Sequence, residues 1–293
     1  EDPRREGPVP PRPARPTQLS TAPRLLSRRT APPSTAPRLL SRRTAPLSAA
    51  PRLLSRLLLL VTACGSTGPT VFELPLRAHG APPAAIQAGD WTVTLTRAEL
   101  AFGPLYLCAT AAASADLCDA ALAEFTAVAP VDALDPADQE LGDLAVLPGE
   151  IRSAMFDYGV TWLPTESRPT AHQGAPGGRS ARFAGTAVLG DISLEFTADL
   201  DLDPLRRGTR AVEGLRLVPH RPDAGDRLDL DFEVAAWWAG VDFDALAALG
   251  PGPLDLDVLA DQGGPDSPAA AALDVVRFAM LAAPPRLTWS TEE

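Results

Sequence analysis

Three aspartates at alternate positions, Asp199, Asp201 and Asp203, come nearest in this chain to a ligand-binding pattern. Leu200 and Leu202 separate them, so in an extended strand the three carboxylates project to one side. Such a face of oxygens suits Ca2+, which takes six to eight oxygen ligands. Asp229, Asp231 and Glu233 repeat the pattern, and Asp255, Asp257 and Asp261 form a third acidic stretch that ends in Gly263-Gly264. None contains the Asp-x-Asp-x-Asp-Gly loop that wraps an ion. Carboxylates on the wet face of a strand ordinarily serve solvation and block the addition of further strands. The three histidines, His79, His172 and His220, each stand beside Gly, Pro or a polar residue and are expected in loops. His172, within the glycine-rich stretch 170–178, is the candidate for a copper or zinc contact. The expected metal-ligating set is therefore His172, Asp199, Asp201 and Asp203, and no organic cofactor is expected.

Catalytic patterns are sparse. The chain has no Gly-x-Ser-x-Gly elbow and no His-Glu-x-x-His zinc helix, and without lysine it cannot form the usual phosphate loop. A Ser-His-Asp triad assembles only in the fold, so sequence order does not exclude one. Aromatic residues concentrate at Trp237-Trp238 and along 155–162, where they serve either a sugar or peptide platform or, more commonly, a core. A non-catalytic binding or structural module is thus the leading expectation. An exported calcium- or copper-binding protein comes second and a hydrolase third.

The elements that would position these residues read mainly as strands. Residues 91–95 and 228–234 alternate apolar and polar, as do 181–187 and 192–202 around Gly190-Asp191, the pattern of a hairpin. Further strands are expected at 72–76, 105–108, 123–131, 151–163, 215–219 and 287–289. Two stretches have helical character. Residues 235–249 space their apolar positions for a helix that stops at Gly250-Pro251, and Ser267-Pro268 opens an alanine-rich helix that stops at Pro284-Pro285. The fold class expected is mainly β: an antiparallel β-sandwich, prealbumin- or immunoglobulin-like, with one or two helices near the C-terminus.

The first part of the chain is of another kind. Ala-Pro-Arg-Leu-Leu-Ser-Arg begins at Ala22, Ala36 and Ala50, a period of 14 residues rich in Pro, Ser and Arg, which argues for disorder over 1–50. Because Met155 is the first methionine, this leader is expected to be an upstream extension or part of a fragment. Twelve of the 26 basic residues, all Arg, precede Cys64 against three acids, a net charge of +9, while the remainder carries −20 behind the overall −11. A body of that sign repels phosphate backbones, so no nucleic-acid partner is expected.

Arg52 and Arg56 precede the run Leu57-Leu58-Leu59-Leu60-Val61-Thr62-Ala63-Cys64. A charged region, a short apolar region and a small-residue ending define a secretory signal, here 51–63. Val61-Thr62-Ala63-Cys64 resembles the lipobox of bacterial lipoproteins. The resemblance implies lipidation of Cys64, a flexible tether over 64–70, a body over 71–293 and attachment to the lipid membrane of the bacterial cell envelope. The residue after Cys64 is not Asp, which in that family is compatible with transfer to the outer membrane. The apolar run is too short to span a bilayer, so the chain would be anchored rather than spanning. With Cys64 acylated, Cys108 and Cys118 remain as an even pair, expected to form a disulfide in an oxidising compartment.

A second resemblance concerns the body. Val131-Asp132-Ala133-Leu134, Leu141-Gly142 and Pro148-Gly149-Glu150-Ile151-Arg152 resemble secreted bacterial β-sandwich lipoprotein domains of uncharacterised function. There a strand carrying a buried Asp and Leu is followed by a Leu-Gly turn and a Pro-Gly turn. The resemblance implies an exported sandwich and supplies no catalytic residue. Besides the lipid membrane, the partner expected of a binding module is an envelope protein or a glycan.

Overall fold

The computed structural model describes residues 70–111, 118 and 121–291. The repeat leader, the signal segment, Cys64 and nearly all of the tether lie outside them. Alternating burial along the extended segments sorts the body into two large sheets.

The first sheet has eight strands. In chain order they are β1 (Phe72–His79), β4 (Leu105–Cys108), β5 (Ala121–Phe125), β7 (Gln139–Val146), β8 (Ile151–Phe156), β13 (Val212–His220), β14 (Asp226–Asp231) and β16 (Arg286–Thr291), and in space the order is β13-β8-β4-β5-β7-β1-β14-β16. The second has β2 (Ile86–Ala88), β3 (Trp91–Phe102), β6 (Ala129–Asp132), β11 (Ala181–Leu189), β12 (Ile192–Leu200) and β15 (Leu254–Asp255). Its order is β15-β12-β11-β3-β2, with β6 also pairing β3. A small ribbon joins β9 (Val160–Thr161) to β10 (Thr170–Ala171). Among the described residues the α-helices are α1 (Ala235–Trp238), α2 (Phe243–Ala247), α3 (Leu256–Gly263) and α4 (Pro268–Ala282), interleaved with β15 and followed by β16.

The two sheets share one core. Leu74 and Leu76 of β1, Val93 and Leu100 of β3, Phe183 of β11 and Leu228 of β14 belong to one continuous buried cluster. Phe102 of β3 meets Phe156 of β8 at 5.1 Å between ring centroids. The edges of the eight-stranded sheet also approach each other. The His220 ring of β13 stacks on Trp289 of β16 at 4.9 Å, so this sheet curls into a nearly closed, barrel-like wall.

The mainly β expectation holds, with physical corrections. Pairing is not purely antiparallel, because β1 runs parallel to β14 and β12 parallel to β15. The hairpin 181–200 forms as expected, with Leu189 opposite Ile192 across Gly190-Asp191. The expected strand 123–131 divides into β5 and β6, which join different sheets, and 151–163 breaks at Asp157. Leu141-Gly142 lies inside β7 at a register shift opposite Leu76 rather than in a turn, and Asp132 is exposed, its carboxylate accepting from the Leu134 N–H at 2.9 Å.

The helix expected over 235–249 is two short helices, because the Asp242 side chain accepts from the Ala245 N–H and starts α2 afresh. Trp237 and Trp238 are buried core residues, with Trp238 against Phe196 at 4.8 Å, and form no platform. Ser267 caps α4 as expected, its hydroxyl accepting from the Ala270 N–H at 3.2 Å. Cys108 and Cys118 are disulfide-bonded, with their Cα atoms 5.8 Å apart. Among the described residues no helix is long and apolar enough to cross a membrane.

Candidate functional site

Asp199 and Asp201 do share one face, for the reason the alternation predicts: Ala198, Leu200 and Leu202 between them are buried. What the spacing does not reveal is the set of cations facing them. Arg182 is the register partner of Asp199 on β11, and its Nε donates to Asp199 Oδ2 at 3.1 Å. Arg97 of β3 approaches Asp199 Oδ1 at 3.7 Å, and Arg182 reaches Glu99 at 3.8 Å. Just before β11, Arg179 Nη1 donates to Asp201 Oδ2 at 2.7 Å, while the Ser180 N–H reaches Asp201 Oδ1 at 3.3 Å. The hydrogen bond it donates to Asp201 and the surrounding carboxylates hold the Arg179 guanidinium above its usual pKa. The ladder is an ion lattice, four of its members supplied by strands adjacent in the sheet.

Two helices wall this face into a cleft of about 460 Å3, lined by Arg179, Asp199, Asp257, Asp261, Asp274 and Arg277 among others. Asp255, proposed from sequence as a calcium ligand, instead caps α3, its Oδ1 accepting from the Val258 N–H. Burial, then the hydrogen bond with the Asp255 carboxyl, raises the pKa of Asp257. Partial desolvation, then the neighbouring Asp201 charge, raises the pKa of Asp203 as well, although its side chain stays open to solvent. Arg277 on α4 pairs with Asp274 at 2.8 Å and donates to the Asp201 carbonyl at 3.3 Å, tying helix to ladder.

No family model, curated protein or solved structure matches the chain. The reading of the site therefore rests on its own geometry.

His172 is exposed in the loop after β10, and its Nδ1 accepts from the Gly174 N–H at 3.2 Å. The structure does not unite it with the ladder in a ligand set. Among the described residues, no group of three or more His, Cys, Asp or Glu side chains is arranged to hold a metal ion. His79 and His220 end strands β1 and β13 rather than lying in loops. His79 stands between two carboxylates, Asp138 and Asp229, each at 3.4 Å. The Ser290 hydroxyl donates to Asp229 and accepts from Arg227 Nε. Here serine meets carboxylate rather than imidazole, which is not the nucleophile–base contact of acyl transfer.

Sequence reading missed the most perturbed carboxylate. Asp157 follows β8 where the chain also passes from β3 to β4: its N–H donates to the Pro104 carbonyl and its carbonyl accepts from Gly103 N–H. Its side chain is fully buried, accepting from Arg210 Nη1 at 2.8 Å and from the Ala211 N–H at 2.7 Å. Burial pushes its pKa up to about 6, against the pull of those two donors. The Arg210 guanidinium lies 4.7 Å over the Tyr106 ring. The signal available in sequence was a lone acid inside the apolar run 151–163; its partner lies 53 residues away.

Proposed function

We propose that the protein is a bacterial lipoprotein, exported and acylated on Cys64, whose body is a non-catalytic binding or structural module at the cell envelope, on the outer membrane. The observation that carries the binding role is the cleft on the six-stranded sheet. Its arginines, and its aspartates other than Asp261, are already ion-paired, which presents a preorganised polar surface at little further ordering cost. Only residues 65–71 separate Cys64 from β1. Even fully extended they reach about 25 Å, so an acylated chain holds its body at the bilayer surface. We take the two sheets that share one core as the layers of a sandwich, the eight-stranded layer strongly curled.

Acylation is tested in bacteria expressing the full chain, fed an alkyne fatty acid. The unmodified chain should incorporate label and partition into detergent, whereas Cys64→Ser should do neither. Label on Cys64→Ser, or an unlabelled parent chain, sinks the lipoprotein reading.

A further inference from the structure

The outer face of the six-stranded sheet carries a second hollow, about 480 Å3, beside the charged cleft. We propose that this trench binds a neutral oligosaccharide. The proposal deepens the binding-module reading, and rests on it, by naming a ligand class and a place.

The trench crosses the strands rather than following them. Thr96 comes from β3, Ala184 and Thr186 from β11, Glu195 and Thr197 from β12, and Asp255 from β15. Register places Ala184 opposite Thr197, and Thr197 opposite Asp255, at one level of the sheet. Neighbouring strands lie about 4.8 Å apart, close to one pyranose unit, so Thr197 and Asp255 stand one such step apart, and Thr186 faces Glu195 one level along. An extended peptide repeats its side chains every 6.6 Å or so and pairs along strands, which this direction does not match.

A backbone irregularity creates the hollow. Between β11 and β3, Ala184 faces Arg97 while Gly185 faces Leu95, leaving Thr96 as the extra, unpaired residue of a bulge. Bulges of this kind re-aim a side chain. Gly185 is required there, because a Cβ would stand 2.6 Å from the Thr94 carbonyl oxygen and 2.9 Å from the Phe196 ring. The floor is the small apolar Ala184, room for the C–H face of a sugar.

The chemistry of the walls selects the ligand. Among the described residues, the hydroxyls of Thr96, Thr186 and Thr197 make no side-chain hydrogen bond, so they are free to donate and accept. Glu195 is exposed and pairs with no cation. The trench lining contains no arginine. Phosphorylated or otherwise anionic chains would meet the Glu195 carboxylate with no cation beside it, whereas neutral sugar hydroxyls would find acceptors in Glu195 and the threonine hydroxyls.

The test is calorimetric titration of the purified full chain with cellotetraose and chitotetraose, and separately with tetra-arginine. Saturable binding of a tetrasaccharide is expected, weakened about tenfold by Thr186→Val, the loss of about one hydrogen bond. Ala184→Trp, which fills the floor, should abolish it. Because tryptophan could disturb the sheet, the titration is accompanied by melting curves, and the half-buried Thr186→Val, a change of similar volume, decides the outcome if Ala184→Trp melts lower. No saturable binding of either sugar overturns the proposal, as does sugar binding that neither substitution weakens. Tetra-arginine binding in place of sugar overturns it in favour of a basic peptide. The Cys64→Ser chain should bind sugar like the parent. Sugar binding without acylation sinks only the lipoprotein reading, and acylation without sugar binding sinks only the trench.

Discussion

The lattice around Asp199 and the pair Asp157–Arg210 use the same two side-chain chemistries in opposite surroundings. In the lattice, side chains of Asp199, Arg182, Arg97, Asp201 and Arg179 stay between 25 and 39% exposed, and Asp199, Arg182 and Arg179 each face two opposite charges. In the pair, Asp157 is fully buried and Arg210 is 8% exposed. Water screens the first arrangement, so each bridge contributes little and losing one leaves the others. Water screens little of the second: removing one partner leaves the other buried and uncompensated. The comparison teaches that charge density on a surface is a poor guide to where charge matters to the fold. The two residues that sequence reading passed over carry more than the aspartates it singled out.

The largest effect expected is that of Arg210→Ala, which strands Asp157 in the core. It should lower unfolding free energy by about 3–5 kcal/mol, read from urea melts at neutral pH. A loss below about 1 kcal/mol would place the buried pair on a par with the lattice and break the contrast.

Next comes pH. Folding raises the pKa of Asp157 to about 6, above its unfolded value. A raised carboxyl contributes stability that is fully present below about pH 4 and is lost as pH rises through about 6, by up to about 3 kcal/mol. The stability difference between the parent chain and Asp157→Asn should therefore shift against the parent between pH 4 and 7. A shift in the parent's favour would mean that Arg210 and Ala211 outweigh burial.

The smallest effect belongs to Asp199→Asn. It should change stability by less than about 1 kcal/mol, and that change should shrink further in 0.5 M salt. A large, salt-insensitive loss would show that the lattice acts as a buried unit, and would erase the distinction between the two regions.

Much of the fold was legible because its causes are local. The hairpin 181–200 follows from alternation on either side of Gly190-Asp191, and α4 follows from Ser267, Pro268 and the prolines after Ala283. In the candidate site, the common face of Asp199 and Asp201 was legible for the same reason. Their neutralisation was not, since Arg97, Arg179 and Arg182 reach them only after β3, β11 and β12 have paired. The carboxylate of Asp255 went to a helix cap, because the short β15 ends where α3 begins and leaves the first-turn N–H groups to be satisfied.

The sequence by itself determined which residues alternate, where turns and caps interrupt them, and that Cys108 and Cys118 could pair; each of these depends on neighbours along the chain or on simple parity. Only the tertiary structure decided that 123–131 would serve two sheets, that β1 would lie parallel to β14, and that Asp157 would be buried against Arg210. The physical reason is range. The pattern of burial within a strand is set over two or three residues, whereas the choice of partner is a competition among surfaces far apart in sequence.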